Sequence, residues 1–225
     1  MLAKRPTTLL VIVDKEPSLS TMVQFDSIPA LIVVDMQNGF CHKDGSFARL
    51  GILTDPTTIV PRINELRSEF RATGVPIYFL KTAYKADYSD RRGRDRGDRL
   101  EQFQGLLQGS WDADILDELT PEPDDNVIDK IRNSGFFRTS LENTLRERGV
   151  DHLILTGVGT DVCVETTARD AYQLNFAVTT VSDATGTCNE SDHVAALHAL
   201  RNFGGTASTS EVIEALQKLR NSNHV

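Results

Sequence analysis

Short apolar runs alternate with longer amphipathic segments along most of the chain, and this alternation limits the fold more than any other feature of the sequence. Continuous apolar runs are typical of strands in a sheet that is covered on both faces. After the first run, apolar residues recur at helical spacing from Ile59 to Phe70, and Gly74 follows where a helix would end. The predicted strands are Leu31–Val34, Val75–Leu80, Asn126–Ile128, His152–Leu155 and Phe176–Val181.

Strand, helix and strand in repeated order predict right-handed crossovers between parallel strands. The expected fold class is therefore α/β, a three-layer α/β/α domain with a mostly parallel, doubly wound sheet. We expect one domain over residues 28–225, preceded by an N-terminal extension over residues 1–27. Within that extension, the apolar run Leu9–Asp14 has two open placements, an added edge strand or an arm that docks on a partner subunit.

Acidic residues outnumber basic ones, 32 against 24, which gives a formal charge of −8. Nucleic acids and anionic membranes attract basic surfaces, so neither is an expected partner. No uncharged apolar stretch approaches the ~18 residues of a membrane span. Cys41, Cys163 and Cys188 form no C-x-x-C pair, and we predict a cytoplasmic protein with reduced thiols. The arginine-rich segment 91–99 is either a solvated loop or a lid that attracts an anionic substrate.

Cys163 is the first candidate for chemistry. It follows a predicted strand, a turn over residues 156–159, and then Thr160 and Asp161, either of which can cap a helix. A thiol in the first turn of a helix meets the positive end of the helix dipole, so we expect its pKa to fall toward a reactive thiolate. The alternative is a buried cysteine with a structural role.

Asp35 and Lys130 each stand at the end of a predicted strand. A carboxylate after four apolar residues needs a partner or a function, although Asp35 can also cap a turn and Lys130 can be an ordinary surface lysine. Parallel strands end at one edge of the sheet, where such sheets bind ligands, so these residues can meet Cys163 there. An acid, an amine and a thiol are the parts of a nucleophilic hydrolase.

Two other sites are less well supported by the sequence. Residues 157–162 partly match a dinucleotide-binding fingerprint, and Asp183 stands near the position of a ribose-binding acid. However, Val162 occupies the place of the third glycine, and the motif lies in the fourth strand–helix unit rather than the first. The five histidines form no tight cluster with carboxylates, so no metal site is predicted.

Four stretches of the sequence match a known family: Ala30-Leu-Ile-Val-Val-Asp35-Met-Gln-Asn-Gly-Phe40, Gly109-Ser-Trp111-Asp112, Asp129-Lys130-Ile-Arg-Asn-Ser-Gly-Phe-Phe137 and Leu155-Thr-Gly-Val-Gly-Thr-Asp-Val-Cys163-Val-Glu-Thr-Thr-Ala-Arg-Asp170. Through them the sequence resembles the isochorismatase-like cysteine hydrolases, and the resemblance covers roughly residues 28–220. The sequence is most similar to the branch of that family that contains ureidoacrylate amidohydrolases, biuret hydrolases and N-carbamoylsarcosine amidases.

The resemblance implies a catalytic triad of Asp35, Lys130 and Cys163. It also implies a non-proline cis peptide between Val158 and Gly159, and an oxyanion hole formed by the N–H groups of Gly159 and Cys163. Some relatives bind a metal through one Asp and two His in the segment that corresponds to residues 82–88, but this segment contains no His and so lacks that set. The resemblance therefore implies no cofactor and no metal.

Three further residues are predicted to line the substrate pocket by their positions: Phe40, Tyr84 and Asn133. Arg132 can either anchor a substrate carboxylate or brace the fold. The expected function is cysteine-dependent hydrolysis of a C–N bond in a small amide or ureide, by a homodimer or homotetramer. Two alternatives stay open, vinyl-ether cleavage of isochorismate with Asp35 as general acid, and a non-catalytic protein that keeps the fold for binding.

Overall fold

The computed structural model describes residues 23–25, 27–91 and 97–222. Six parallel strands form one sheet in the order β3-β2-β1-β4-β5-β6. The strands are β1 (Ile28–Val34), β2 (Ile77–Thr82), β3 (Asn126–Lys130), β4 (Val150–Val158), β5 (Ala177–Gly186) and β6 (Thr206–Ala207). The α-helices are α1 (Asn38–Cys41), α2 (Ser46–Arg49), α3 (Ile59–Thr73), α4 (Gly97–Gln102), α5 (Leu141–Glu147), α6 (Glu165–Gln173), α7 (Glu190–Leu200) and α8 (Thr209–Ser222).

The sheet separates two apolar clusters, as expected for a three-layer domain. Successive side chains of β1 point to opposite faces, so Leu31 and Val33 belong to one cluster and Ile32 and Val34 to the other. Helices α3 and α8 cover the first face, whereas α5, α6 and the C-terminal end of α7 cover the second. The predicted α/β fold class is confirmed.

The five predicted strands are present. Four are longer than predicted, and β2 has the predicted length but is shifted by two residues toward the C-terminus. Helix α3 ends as predicted at Gly74, whose φ of 72° is the left-handed conformation that favours glycine at a helix end. The sheet has a sixth strand, β6, that we did not predict. Because β6 consists of only Thr206 and Ala207, it contains too few residues to produce a recognisable alternation.

Two sequence-based expectations fall on residues outside the described ranges. The run Leu9–Asp14 is one of them, and residues 92–96 of the arginine-rich segment are the other. Of the residues before β1, Phe25 is buried in the larger cluster, where its ring contacts the His152 ring edge-on at 5.2 Å. None of the helices in the described part of the chain is both long enough and apolar enough to cross a membrane.

Candidate active site

Asp35 follows the last residue of β1 and is completely buried. Its φ of 52° lies in the left-handed region, which aspartate tolerates better than most residues and which occurs at functional sites. Its Oδ1 accepts hydrogen bonds from the Thr82 amide at 3.1 Å and from the Thr82 hydroxyl at 2.9 Å. Its Oδ2 accepts one hydrogen bond, from Lys130 Nζ at 2.7 Å. A carboxylate oxygen has about two acceptor positions, so Oδ2 can accept one more proton donor.

Lys130 is the last residue of β3, and it is buried rather than exposed. Its ammonium group donates to Asp35 Oδ2 at 2.7 Å, to Thr82 Oγ1 at 2.8 Å and to the Arg132 carbonyl at 3.1 Å. An ammonium group has three N–H donors, and all three are used here. Lys130 therefore acts on its surroundings through its charge, and it can donate to a substrate oxygen only by releasing one of these partners.

The pKa of Lys130 is raised above its usual range. Burial alone would lower this pKa, but the negative charge of Asp35, the adjacent Cys163 and the hydrogen bond to Asp35 outweigh burial. Lys130 is consequently protonated, and the pair of Lys130 and Asp35 is a buried salt bridge between side chains that are 0% and 1% exposed.

Thr82, the last residue of β2, connects these two charged groups, and sequence reasoning missed it. Its hydroxyl donates to Asp35 Oδ1 and accepts from Lys130 Nζ. The parallel register places Thr82 directly beside Lys130. The only signal in the sequence was a polar residue shortly after an apolar run, which is common at strand ends.

Cys163 lies in a single turn of π-helix, Thr160–Val164, between β4 and α6. The Gly159 carbonyl accepts hydrogen bonds from the amides of Val162 and Val164, so the two donors are the residues on either side of Cys163. Turns of this kind are rare and occur frequently at functional sites. The expected α-helix starts only at Glu165.

The close approach of β4 to β1 requires glycine at position 157. A Cβ atom there would lie 2.0 Å from the Val34 carbonyl oxygen, and the φ of Gly157 is 102°. This approach brings the end of β4 next to Asp35, the residue after Val34. The peptide bond between Val158 and Gly159 is cis, at the position where the family resemblance indicates one.

Neither predicted helix cap is formed. The Thr160 hydroxyl is instead hydrogen-bonded to Nδ1 of His193 at 2.8 Å, and Oδ1 of Asp161 is buried without a hydrogen-bond partner. The cap prediction was wrong because it assumed a regular α-helix that begins directly after the turn.

The prediction that the pKa of Cys163 is lowered toward a thiolate is also wrong for the protein without substrate. Burial raises the pKa of the Cys163 thiol well above its usual range, since the side chain is only 8% exposed. The positive charge of Lys130 lowers this pKa, but the Asp35 carboxylate opposes Lys130 and raises it. The thiol is therefore protonated at neutral pH, next to a carboxylate that can accept its proton.

Of the three predicted substrate-binding residues, Tyr84 lies within electrostatic range of all three triad residues. Tyr84 is half-buried, and the charges of Lys130, Asp35 and Cys163 all act on its hydroxyl, whose pKa burial raises. Phe40 is half-buried and packs against Phe47, with ring centroids 4.3 Å apart.

Asn133 is exposed, three residues beyond Lys130 in the segment that follows β3. The adjacent Arg132 donates hydrogen bonds to the carbonyls of Asp90 and Ile131. Of the two roles that the sequence left open for Arg132, these contacts support the one of bracing the fold.

A groove of about 650 Å³ lies apart from the triad, beside the N-terminal ends of α3 and α7. Its walls include Thr54, Arg62, Asp183, Thr187 and His193. The groove is not the predicted pocket, because none of the three triad residues lines it. Over residues 23–25, 27–91 and 97–222, no cluster of three or more His, Cys, Asp or Glu side chains could hold a metal ion.

Comparisons with known proteins place these features in context. A family model described as the isochorismatase domain matches residues 29–212. The chain is 34% identical over 195 residues to the ureidoacrylate amidohydrolase RutB of Pseudomonas syringae pv. syringae, covering 80% of each protein.

Two solved structures extend the comparison. The fold matches a cysteine hydrolase from Pseudomonas syringae pv. phaseolicola with a TM-score of 0.76 and 32% identity, over 84% of this chain and 92% of that one. It also matches the N-carbamoylsarcosine amidase of Thermoplasma acidophilum with a TM-score of 0.66 and 26% identity, over 81% and 96% of the two chains.

Proposed function

The chain belongs to the isochorismatase family, and we propose that it is a cysteine-dependent amidohydrolase that cleaves a C–N bond of a small amide or ureide. The observation that carries this proposal is the buried contact of Asp35 with Lys130 next to the Cys163 thiol. The relatives named ureidoacrylate amidohydrolase and N-carbamoylsarcosine amidase support a substrate with a carbonyl group bonded to nitrogen.

In the first half of the reaction, Asp35 accepts the thiol proton while the Cys163 sulfur attacks the carbonyl carbon. The electron pair of the C=O bond moves to the oxygen, which becomes an oxyanion. Since burial and the Asp35 charge both disfavour a free thiolate, the proton leaves as the S–C bond forms. Oδ2 is the oxygen of Asp35 with acceptor capacity left for this proton.

The C–N bond then breaks, and the departing nitrogen takes the proton from Asp35, which releases ammonia or an amine. The remaining acyl or carbamoyl group is bonded to the Cys163 sulfur. A water molecule attacks that carbon, Asp35 accepts a proton from the water, and the sulfur leaves and recovers the proton as a thiol. The net reaction adds one water across the C–N bond.

The oxyanion requires hydrogen-bond donors that are not already used. We assign this role to the backbone N–H groups of Gly159 and Cys163, because the three donors of Lys130 have other partners. Removal of one such donor typically costs about 10²–10³ in rate. Lys130 contributes its positive charge, which offsets the negative charge that develops beside it, and Tyr84 borders the bound substrate.

The test is ammonia release by the full chain across a panel of ureides and primary amides, combined with mass spectrometry for an adduct on Cys163. We expect Cys163→Ala to reduce turnover by about 10⁴-fold or more, as for other covalent nucleophiles. The matched control is Cys188→Ala, which removes an exposed thiol and leaves turnover unchanged.

Full activity of Cys163→Ala would refute the covalent scheme. If that variant also released pyruvate from isochorismate, the vinyl-ether reaction would replace this proposal, since it requires Asp35 but not the thiol. The absence of turnover on every substrate by the wild-type protein would instead favour the non-catalytic alternative.

A further inference from the structure

Asp112 belongs to residues 109–112, the one of the four matching stretches that has no part in the proposed mechanism. It lies in the short 3₁₀-helix Trp111–Ala113, and its carboxylate accepts three hydrogen bonds. Oδ1 accepts from the Ser46 amide at 2.8 Å, and Oδ2 accepts from the Ser46 hydroxyl and the Leu106 amide, both at 2.7 Å. Asp112 therefore joins the start of α2 to the loop that contains Leu106.

Two glycines let the Asp112 carboxylate reach these partners. A Cβ atom at position 39 would lie 2.6 Å from Asp112 Oδ2 and 2.8 Å from the Asp112 carbonyl oxygen. A Cβ atom at position 105 would lie 2.7 Å from the Ser46 hydroxyl oxygen and 2.8 Å from the Ser46 Cβ. Because neither position has room for a side chain, Gly39 and Gly105 permit the close approach that holds Asp112 and Ser46 together.

Leu106 has a backbone conformation that residues of its size rarely adopt. Its φ of 57° lies in the left-handed region, and a bulky residue stays there only where its surroundings hold it. The Leu106 amide donates to Asp112, the Leu106 carbonyl accepts from the Tyr84 amide at 2.8 Å, and the Leu106 side chain is buried. The hydrogen bond to Asp112 therefore stabilises the conformation in which the Leu106 carbonyl reaches Tyr84.

Tyr84 is bonded to this loop on both sides of its own backbone. Its amide donates to the Leu106 carbonyl, and its carbonyl accepts from the Gln108 amide at 2.8 Å. The loop also holds the next tyrosine, since the Tyr88 hydroxyl donates to the Gly105 carbonyl at 2.9 Å and the centroids of the Tyr84 and Tyr88 rings are 6.0 Å apart. The placement of Tyr84 beside the triad thus depends on residues 105–108, whose conformation Asp112 maintains.

We propose that Asp112 is a positioning residue that places Tyr84 against the substrate by holding Leu106 in its left-handed conformation. This inference rests on the proposed function, in which Tyr84 borders the bound amide or ureide. Within the described part of the chain, the hydrogen bonds of the Asp112 carboxylate lead to Ser46 and Leu106, and none leads to a residue of the triad. Loss of Asp112 therefore weakens substrate binding and leaves proton transfer within the triad in place.

The first test is steady-state kinetics of the full chain on the ureide or amide that the wild type turns over fastest. Asp112→Ala removes the acceptor of the Leu106 amide, and we expect KM to rise by about tenfold or more while kcat stays within about threefold. Asp112→Asn keeps an acceptor for only one of the two backbone amides, so it raises KM less than Asp112→Ala does. Ser46→Ala removes the hydroxyl but leaves the Leu106 amide bonded to Asp112, so its KM stays within about twofold of the wild-type value.

The second test measures the placement of Tyr84 without turnover. The chain contains four tyrosines, and fluorine NMR of the protein labelled with meta-fluorotyrosine reports on each of them, with assignment by the variants Tyr84→Phe and Tyr88→Phe. We expect Asp112→Ala to shift the signals of Tyr84 and Tyr88 and to leave those of Tyr78 and Tyr172 unchanged. Circular dichroism verifies that the variant is folded.

The matched control is Glu211→Ala, because Glu211 accepts from the amide and the hydroxyl of Ser208 directly before α8, as Asp112 does from Ser46. This variant leaves both KM and the tyrosine signals unchanged. An unchanged KM or an unchanged Tyr84 signal in Asp112→Ala would overturn the proposal, and so would an equal rise in KM for Ser46→Ala. If the wild type turned over no substrate, the proposed function would fail, whereas the fluorine signals would still decide whether Asp112 places Tyr84.

Discussion

Removal of Lys130 tests whether the charged pair in the site is as buried as the structure shows. In Lys130→Met the Asp35 carboxylate keeps its two bonds from Thr82 but loses its counter-charge in a region where both side chains are at most 1% exposed. Breaking such a buried pair from one side costs about 3–5 kcal/mol. At about 2–4 °C per kcal/mol for a domain of this size, the midpoint of thermal unfolding falls by about 6–20 °C.

Urea denaturation followed by circular dichroism measures this loss directly, and a double-mutant cycle with Asp35→Asn assigns it to the pair. We expect Asp35→Asn/Lys130→Met to be more stable than the sum of the single losses predicts, with a coupling of up to about 3 kcal/mol. The control is Lys81→Met, since the salt bridge of Lys81 with Asp129 is 3.6 Å long and partly exposed and is worth at most about 1 kcal/mol. A loss for Lys130→Met as small as that of the control would refute the reasoning.

Three other outcomes follow from the contacts of the site. Thr82→Val removes one hydrogen bond to Asp35 and one to Lys130, each worth about 1.5–3 kcal/mol, and lowers kcat by about 10–100-fold. Thr82→Ser keeps the hydroxyl and most of the rate. Equal rates in the two variants would contradict the role of the Thr82 hydroxyl in positioning the two charged groups. In the absence of substrate, iodoacetamide modifies the exposed Cys188 first and the buried Cys163 and Cys41 only slowly, and the two slow rates increase as the pH rises. Mass spectrometry of peptides measures this order. Rapid labelling of Cys163 at pH 7 would contradict the raised pKa of its thiol. Burial also raises the pKa of the Cys41 thiol, to about 12, whereas the ordinary pKa of a thiol is 9.0. The stabilisation by the two buried thiols is therefore complete at pH values below 9.0. Above pH 9.0 we expect the free energy of unfolding, measured with urea, to decrease as the pH rises.

The sequence predicted the fold and the positions of the three central residues because these depend on local patterns. An apolar run that ends at Asp35 indicates both a strand and its carboxyl end, and parallel strands bring such ends together. The same patterns carry no information on which hydrogen-bond donors are used. The connecting role of Thr82 and the full occupation of the Lys130 donors follow from the register of β2 and β3, which the sequence does not specify.

The pKa of Cys163 could not be predicted from position alone, because burial and the charge of Asp35 raise this pKa while the charge of Lys130 and the helix start lower it. A helix start favours a thiolate, but that effect is small and limited to the first turn. Nearly complete burial and the carboxylate of Asp35 both act in the opposite direction and prevail. The direction of the pKa shift expected from the helix start was therefore wrong.

A buried salt bridge is costly to desolvate, and replacement by apolar residues is often neutral or stabilising. Stability alone therefore gives a weak reason for burying Asp35 with Lys130. The pair does have a clear chemical consequence, since it places the acceptor oxygen of Asp35, hydrogen-bonded to Lys130, beside a protonated thiol. In the proposed mechanism, attack by the sulfur coincides with proton transfer, and the thiol remains neutral until a carbonyl group lies next to it. Thr82→Val keeps the salt bridge but leaves each charged group one hydrogen bond short, so we expect it to lower the free energy of unfolding as well as the rate.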